Sequence, residues 1–146
     1  MYQRILVPVD GSDTAGSGLA EAIRLAADQH AQVRLVYVLS DAYLDPLVLH
    51  GVMTPDPVEE LRTKAQAVLN SGAKEAHDAG VGAETAILEH HRYEIGDAII
   101  KEAVRWQSDL IVMGTHGRRG IARTVLGSDA EYVVRHTPVP VLLVRA

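Results

Sequence analysis

Gly114, Gly117 and Gly120 stand close together directly after the apolar run Leu110–Met113, and the pair Gly127-Ser128 follows a little further on. The pattern reads Gly-x2-Gly-x9-Gly-Ser. Glycines after a strand let the backbone come close to an anion and turn its N–H groups towards it. A helix opening at Ser128 would add N–H donors and the positive end of its dipole. Ser128 can cap that helix or donate its hydroxyl to a phosphate oxygen. The chemistry these residue types suggest is phosphate binding. Isolated glycines would serve tight turns equally well; the whole spacing behind a strand is what favours an anion. Two other phosphate patterns are absent. Gly11 and Gly16 have the spacing of a P-loop, but Ser17 stands where Lys is needed, and no Gly-x-Gly-x-x-Gly follows the first apolar run.

Other reactive side chains are sparse. Arg118, Arg119 and Arg123 cluster beside the glycines, where they can steer an anion or simply be solvated. His90 and His91 are adjacent. Neighbouring histidines rarely converge on one metal, and no carboxylate spacing supports a zinc site. They read as surface residues or as lining for the mouth of a crevice. Ser12 and Ser128 have no partner histidine that the sequence places, so no set of nucleophile, base and orienting group emerges. His116 with Asp10 makes an acid–base pair only if a fold is assumed.

The elements that must position these residues follow from periodicity. Apolar runs lie at Ile5–Val9, Val33–Leu39, Ala86–Leu88, Leu110–Met113 and Val139–Val144. Most are nearly continuous and rich in Val and Ile, as in strands buried on both faces. Helical stripes separate them. Ala15–His30 places Leu19, Ala22, Ile23 and Ala26 on one stripe, and Pro57–Ala79 does the same with Val58, Leu61, Ala65, Val68, Leu69, Ala73 and Ala76. Tyr93–Trp106 carries Ile95, Ala98, Ile99 and Ala103, and the shorter Ser128–Arg135 carries Val133 and Val134. Alternating strands and helices predict βαβ units and a parallel sheet. The proline-containing stretch Ser40–Asp56 fits neither period and reads as a loop. No repeat, linker or low-complexity tract divides residues 1–146, so one domain is expected.

Bulk composition excludes several classes. The formal net charge of −5 gives no basic footprint for nucleic acid. The apolar run after Met1-Tyr2-Gln3-Arg4 is too short for a signal-peptide core, and no run reaches the roughly 20 apolar residues of a membrane span. The chain has no Cys, which excludes disulfides and thiolate chemistry and fits a reducing cytoplasm.

Beyond these readings, the chain resembles the universal stress protein family. The resemblance is carried by Gly114-x2-Gly117-x9-Gly127-Ser128 and by the opening Ile5-Leu-Val-Pro-Val-Asp10-Gly-Ser12. It extends to Asp109-Leu-Ile-Val-Met-Gly114-Thr-His-Gly117 and Pro138-Val-Pro-Val-Leu-Leu-Val144. It implies an open, doubly wound, Rossmann-like α/β fold of five parallel strands in the order 3-2-1-4-5. In such sheets ligands bind at the carboxyl ends of the strands flanking the switch in winding. The loops after the first and fourth strands would meet there.

The resemblance also implies roles. Pro8, Val9 and Asp10 would lie against a nucleoside and Val38 against its adenine. Met113, Gly114, His116 and Gly117 would line the ribose and phosphates, with Arg118 beside them. Gly127 and Ser128 would cap the terminal phosphates. The ligand implied is ATP with Mg2+, and Asp10 would approach the cation alongside phosphate and water oxygens. Asp10 has a second reading as a cap for its turn or for the first helix, and His116 as a solvated loop residue. The family's frequent dimerisation through its last strand implies a homodimer paired at Val139–Val144, where Pro138 and Pro140 limit pairing at the start.

One stretch departs from the family's nucleotide binders, which continue after Gly-Ser with Val and then Ser or Thr. Here Asp129 and Ala130 follow. A carboxylate there suits the helix dipole but repels a nearby γ-phosphate. Three readings remain open: a cytoplasmic ATP-binding regulator acting on an unnamed protein partner, a family member that binds no nucleotide tightly and works through dimer or protein contacts, and a slow ATP hydrolase.

Overall fold

A computed structural model describes residues 1–40, 57–90, 95–115 and 126–145. The strands are β1 (Arg4–Pro8), β2 (Gln32–Ser40), β3 (Ala83–His90), β4 (Leu110–Gly114) and β5 (Val141–Val144). The helices are α1 (Asp13–Gln29), α2 (Pro57–Asp78), α3 (Ile95–Arg105) and α4 (Ser128–His136). All strand pairs are parallel and the sheet runs β3-β2-β1-β4-β5. This is the doubly wound order that the family resemblance implied.

Alternation along the strands divides the core in two. Ile5, Val7, Val33, Leu35, Tyr37, Leu110 and Val112 pack against α1 and α2. Leu6, Val36, Val38, Ile111 and Met113 pack against α3 and α4. With helices on both faces, the central strands bury nearly every side chain, which is why their sequences read as nearly continuous apolar runs.

The edge strands differ from their sequence expectations for physical reasons. β3 is longer than Ala86–Leu88 because Glu84, Thr85 and Glu89 face solvent and break the apolar run. β5 begins later than Val139 because Thr137 holds that residue at both ends: its Oγ1 accepts the Val139 N–H and donates to the Val139 carbonyl. Pro140 has no N–H to give, and its carbonyl accepts the Ile111 N–H at 2.9 Å.

An ionic cluster fastens the amino ends of β1 to β3 to α3. Glu102, 5% exposed, accepts from Arg34 Nε at 2.9 Å and from Arg105 Nη2 at 2.6 Å. Arg34 also reaches Glu84 at 2.6 Å. Hydrogen bonding to Glu102, and then its charge, raise the Arg105 guanidinium above its ordinary value. The Arg4 guanidinium lies 4.3 Å from the Trp106 ring centroid while its Nε donates to the Trp106 carbonyl at 2.8 Å. These groups satisfy one another and lie at the end of the sheet opposite the crevice.

Candidate functional site

β1 and β4 are neighbours at the point where winding reverses, yet they pair only at Ile5↔Leu110 and Leu6↔Ile111. Beyond those pairs each strand continues with its outer neighbour. β1 follows β2 through Pro8↔Val36, and the Val9 N–H reaches the Val36 carbonyl at 2.9 Å. β4 follows β5 through Gly114↔Val144, and the Thr115 N–H reaches the Val144 carbonyl at 3.0 Å. The sheet therefore parts towards its carboxyl end between Pro8–Asp10 and Met113–Thr115. Such a parting is where an open α/β sheet can admit a ligand.

The β1 side is shaped by a short turn. Asp10 Oδ1 accepts the Ser12 N–H at 2.9 Å, and Gly11 takes a φ of 83°, which glycine adopts without strain. Ser12 caps α1 by accepting the Ala15 N–H on its Oγ at 3.3 Å. The cap of the first helix is thus Ser12, and Asp10 braces the turn before it.

The strands present different chemistry to the two faces. Val38 and Met113 are buried in the α3/α4 core, and Pro8, which follows Leu6 by one strand repeat, falls on that face as well. Val9 turns its side chain into the opposite core, so towards the crevice it offers backbone. The structure therefore brings Pro8, Val38 and Met113 to one face and places Asp10 at its rim.

On the β4 side, Gly114 serves packing. A Cβ there would lie 2.6 Å from the Thr14 carbonyl oxygen, so α1 sits against bare backbone. Gly18, one turn further along α1, would bring a Cβ to 3.1 Å from the Gly114 nitrogen. Sequence reasoning missed Thr115. Its carbonyl accepts the Gly127 N–H at 2.7 Å, which sets the start of α4 beside the end of β4. No side-chain pattern signals a backbone clasp of this kind.

The N-cap of α4 is Gly127, with extended backbone (φ −60°, ψ 149°) and no side chain to bond the first helical N–H groups. Ser128 is therefore the first helical residue, exposed, and the N-cap role considered for it falls to the glycine, whose carbonyl accepts the Glu131 N–H at 2.9 Å. Asp129 and Glu131 make the first turn acidic, and Ala130 is buried. His90, on β3, has its Nε2 3.8 Å from Asp97 Oδ2 at the start of α3.

The sequence expectations for His116, Gly117 and Arg118 lie outside the described residues, as do those for His91, Arg119, Gly120, Arg123 and the Ser40–Asp56 loop beyond Ser40. Among the described residues, no group of three or more His, Asp or Glu side chains could hold a metal, and no helix is long and apolar enough to cross a membrane.

Known proteins share this architecture. A model of the universal stress protein family matches residues 1–145. A universal stress protein of Methanocaldococcus jannaschii is 34% identical over 146 residues, covering 99% of this chain and 83% of that protein. The structure of the universal stress protein UspA from Lactobacillus plantarum superposes with a TM-score of 0.81 at 28% identity, over 99% of this chain and 98% of that one. A universal stress protein from Archaeoglobus fulgidus, solved in complex with dAMP, gives a TM-score of 0.72 at 24% identity over 98% of each chain.

Proposed function

The chain belongs to the universal stress protein family, and from that premise we propose that it is a single-domain regulator that binds an adenine nucleotide where β1 and β4 part. The observation that carries this reading is the two-pair ladder at Ile5↔Leu110 and Leu6↔Ile111. It opens the carboxyl edge of the sheet beside a helix whose glycine cap brings no side chain to its first turn. Such a helix start favours phosphate. The dAMP held by the Archaeoglobus fulgidus protein is a precedent for this class of ligand on this fold. The full ligand is ATP with Mg2+, with Asp10 at the rim near the cation. Occupancy of the crevice alters what the protein binds in the cytoplasm.

The test is to purify the protein gently, denature it, identify any released nucleotide, and titrate the emptied protein with Mg-ATP by calorimetry. Co-purified ATP, or micromolar binding abolished in Gly117→Val, bears the reading out. Neither nucleotide nor heat up to millimolar ATP would overturn it.

A second reading is favoured by β5. This edge strand is only partly covered on either face, with Leu142 exposed. An open apolar edge invites pairing with another strand. The protein is then a homodimer joined along β5, and nucleotide matters less than the dimer surface. Sedimentation at micromolar concentration tests it: a dimer that Leu142→Lys splits supports the pairing, and a wild-type monomer refutes it.

A further inference from the structure

We infer that Tyr132 and Gly96 together set the spacing between the starts of α3 and α4, and that Tyr132 is thereby a positioning residue for the bound nucleotide. This role rests on the nucleotide reading above and concerns where the start of α4 is held, not which groups touch the ligand.

Both helices start at the carboxyl end of the sheet. α3 begins beside the last residue of β3, where Asp97 lies 3.8 Å from His90, and lower down it bonds Arg34 of β2 through Glu102. α4 begins beside the end of β4, tied there by the bond from the Gly127 N–H to the Thr115 carbonyl. Ile95, Ala98 and Ile99 of α3, and Ala130 and Val133 of α4, anchor the two helices on the sheet. The lateral contact is a different one. A Cβ on Gly96 would lie 2.6 Å from Tyr132 Cδ1 and 3.0 Å from its Cβ and Cγ. The root of the tyrosine side chain therefore rests on bare backbone of α3. Neighbouring helices come as close as the side chains at their contact allow, and here the allowance is that of glycine.

Tyr132 is also held from behind. The His136 ring stacks on it with 4.2 Å between centroids and 28° between planes, and His136 Nδ1 lies 2.9 Å from the Tyr132 carbonyl oxygen. Yet Tyr132 is 39% exposed and stands outside both core clusters. Burial in the core does not account for its place; bracing α4 against α3 does.

That brace reaches the crevice. Ser128 precedes Tyr132 by about one helical turn, roughly 6 Å along the axis. A sideways shift at Tyr132 carries the N–H groups of the first turn with it. The glycine cap brings no side chain to this turn, so those groups take their aim from the helix position alone. A methyl group on Gly96 would have to push Tyr132 away by roughly 1 Å to reach ordinary contact distance. An N–H···O bond to phosphate tolerates only about half of that.

The experiment titrates the full chain with Mg-ATP by calorimetry and follows stability by urea unfolding. Gly96→Ala and Tyr132→Ala should each weaken Mg-ATP about tenfold, the worth of one hydrogen bond to a charged group. Tyr132→Phe keeps the ring and should bind as wild type does. The double variant Gly96→Ala/Tyr132→Ala should also lose about tenfold, because both changes break one contact; independent effects would give about a hundredfold. A merely structural contact would lower the stability of Gly96→Ala and leave its Mg-ATP affinity unchanged, and that result overturns the inference alone. So does an additive double variant, or a Tyr132→Phe as weak as Tyr132→Ala. If Gly96→Ala does not fold, Tyr132→Ala against Tyr132→Phe decides: equal affinities overturn the inference. No binding of Mg-ATP to wild type overturns the nucleotide reading as well.

Discussion

The carbonyl oxygen of Thr14 occupies the space that a Cβ on Gly114 would need, with a separation of 2.6 Å. Backbone lies on backbone at this point, and neither side has a flexible end that could move aside. Gly114→Ala should therefore displace the first turn of α1 or the end of β4. We expect a loss of about 1–3 kcal/mol, as for other overpacked sites. Urea unfolding measures it, and a variant as stable as wild type would show that α1 shifts freely.

Gly16 is the contrasting case on the same helix. A Cβ there meets nothing within 4 Å. Replacing a helical glycine by alanine under those conditions removes backbone freedom from the unfolded chain without a clash. Gly16→Ala should gain about 0.4–1 kcal/mol. A melting temperature that falls instead would mean that the start of α1 needs glycine for another reason.

Glu102 is the centre of the amino-end cluster, and its removal leaves Arg34 largely buried, with the half-exposed Glu84 and the Trp106 ring beside it. Glu102→Ala should cost about 3 kcal/mol, most of it from a buried guanidinium that has lost its buried partner. Glu102→Gln, which keeps the shape and one acceptor, should cost clearly less. Equal losses for the two variants would show that packing rather than charge holds α3 down.

Asp129 opposes two requirements in the first turn of α4. Its charge suits the helix dipole but repels a phosphate placed there. Asp129→Asn should lower stability by about 0.5 kcal/mol and tighten Mg-ATP binding a few-fold, with the gain shrinking as salt is added. Calorimetry at two ionic strengths decides. ATP affinity that is unchanged at both would place the phosphates away from this turn.

The central strands were legible because burial on both faces leaves Ile5–Val9 and Leu110–Met113 unbroken and Val33–Leu39 interrupted only at Arg34. β3 was read short because Glu84 and Glu89 face water at an edge. The family resemblance implied a place between β1 and β4, and there the two strands pair at two positions before they part. What stayed hidden depends on contacts between residues far apart in the chain. Gly114 stands in the glycine pattern, and nothing in residue type signals that the Thr14 backbone lies against it. Glu102 sits within an otherwise apolar helical stripe, and no periodicity announces Arg34 as its partner. The Thr115–Gly127 clasp is main chain to main chain, and so leaves no trace in residue type.

That clasp has a consequence for how the protein can change. The chain that leaves β4 after Thr115 and re-enters at Gly127 has its two ends tied by a 2.7 Å hydrogen bond. Once ends are fixed together, lengthening what lies between them is cheap, since doubling a loop adds only about 0.6 kcal/mol of closure entropy. Insertions and exchanges between residues 116 and 126 should therefore leave the sheet standing. Under the proposed function, residues 116–125 are then the place to exchange sequence and measure any change in nucleotide preference on the same scaffold.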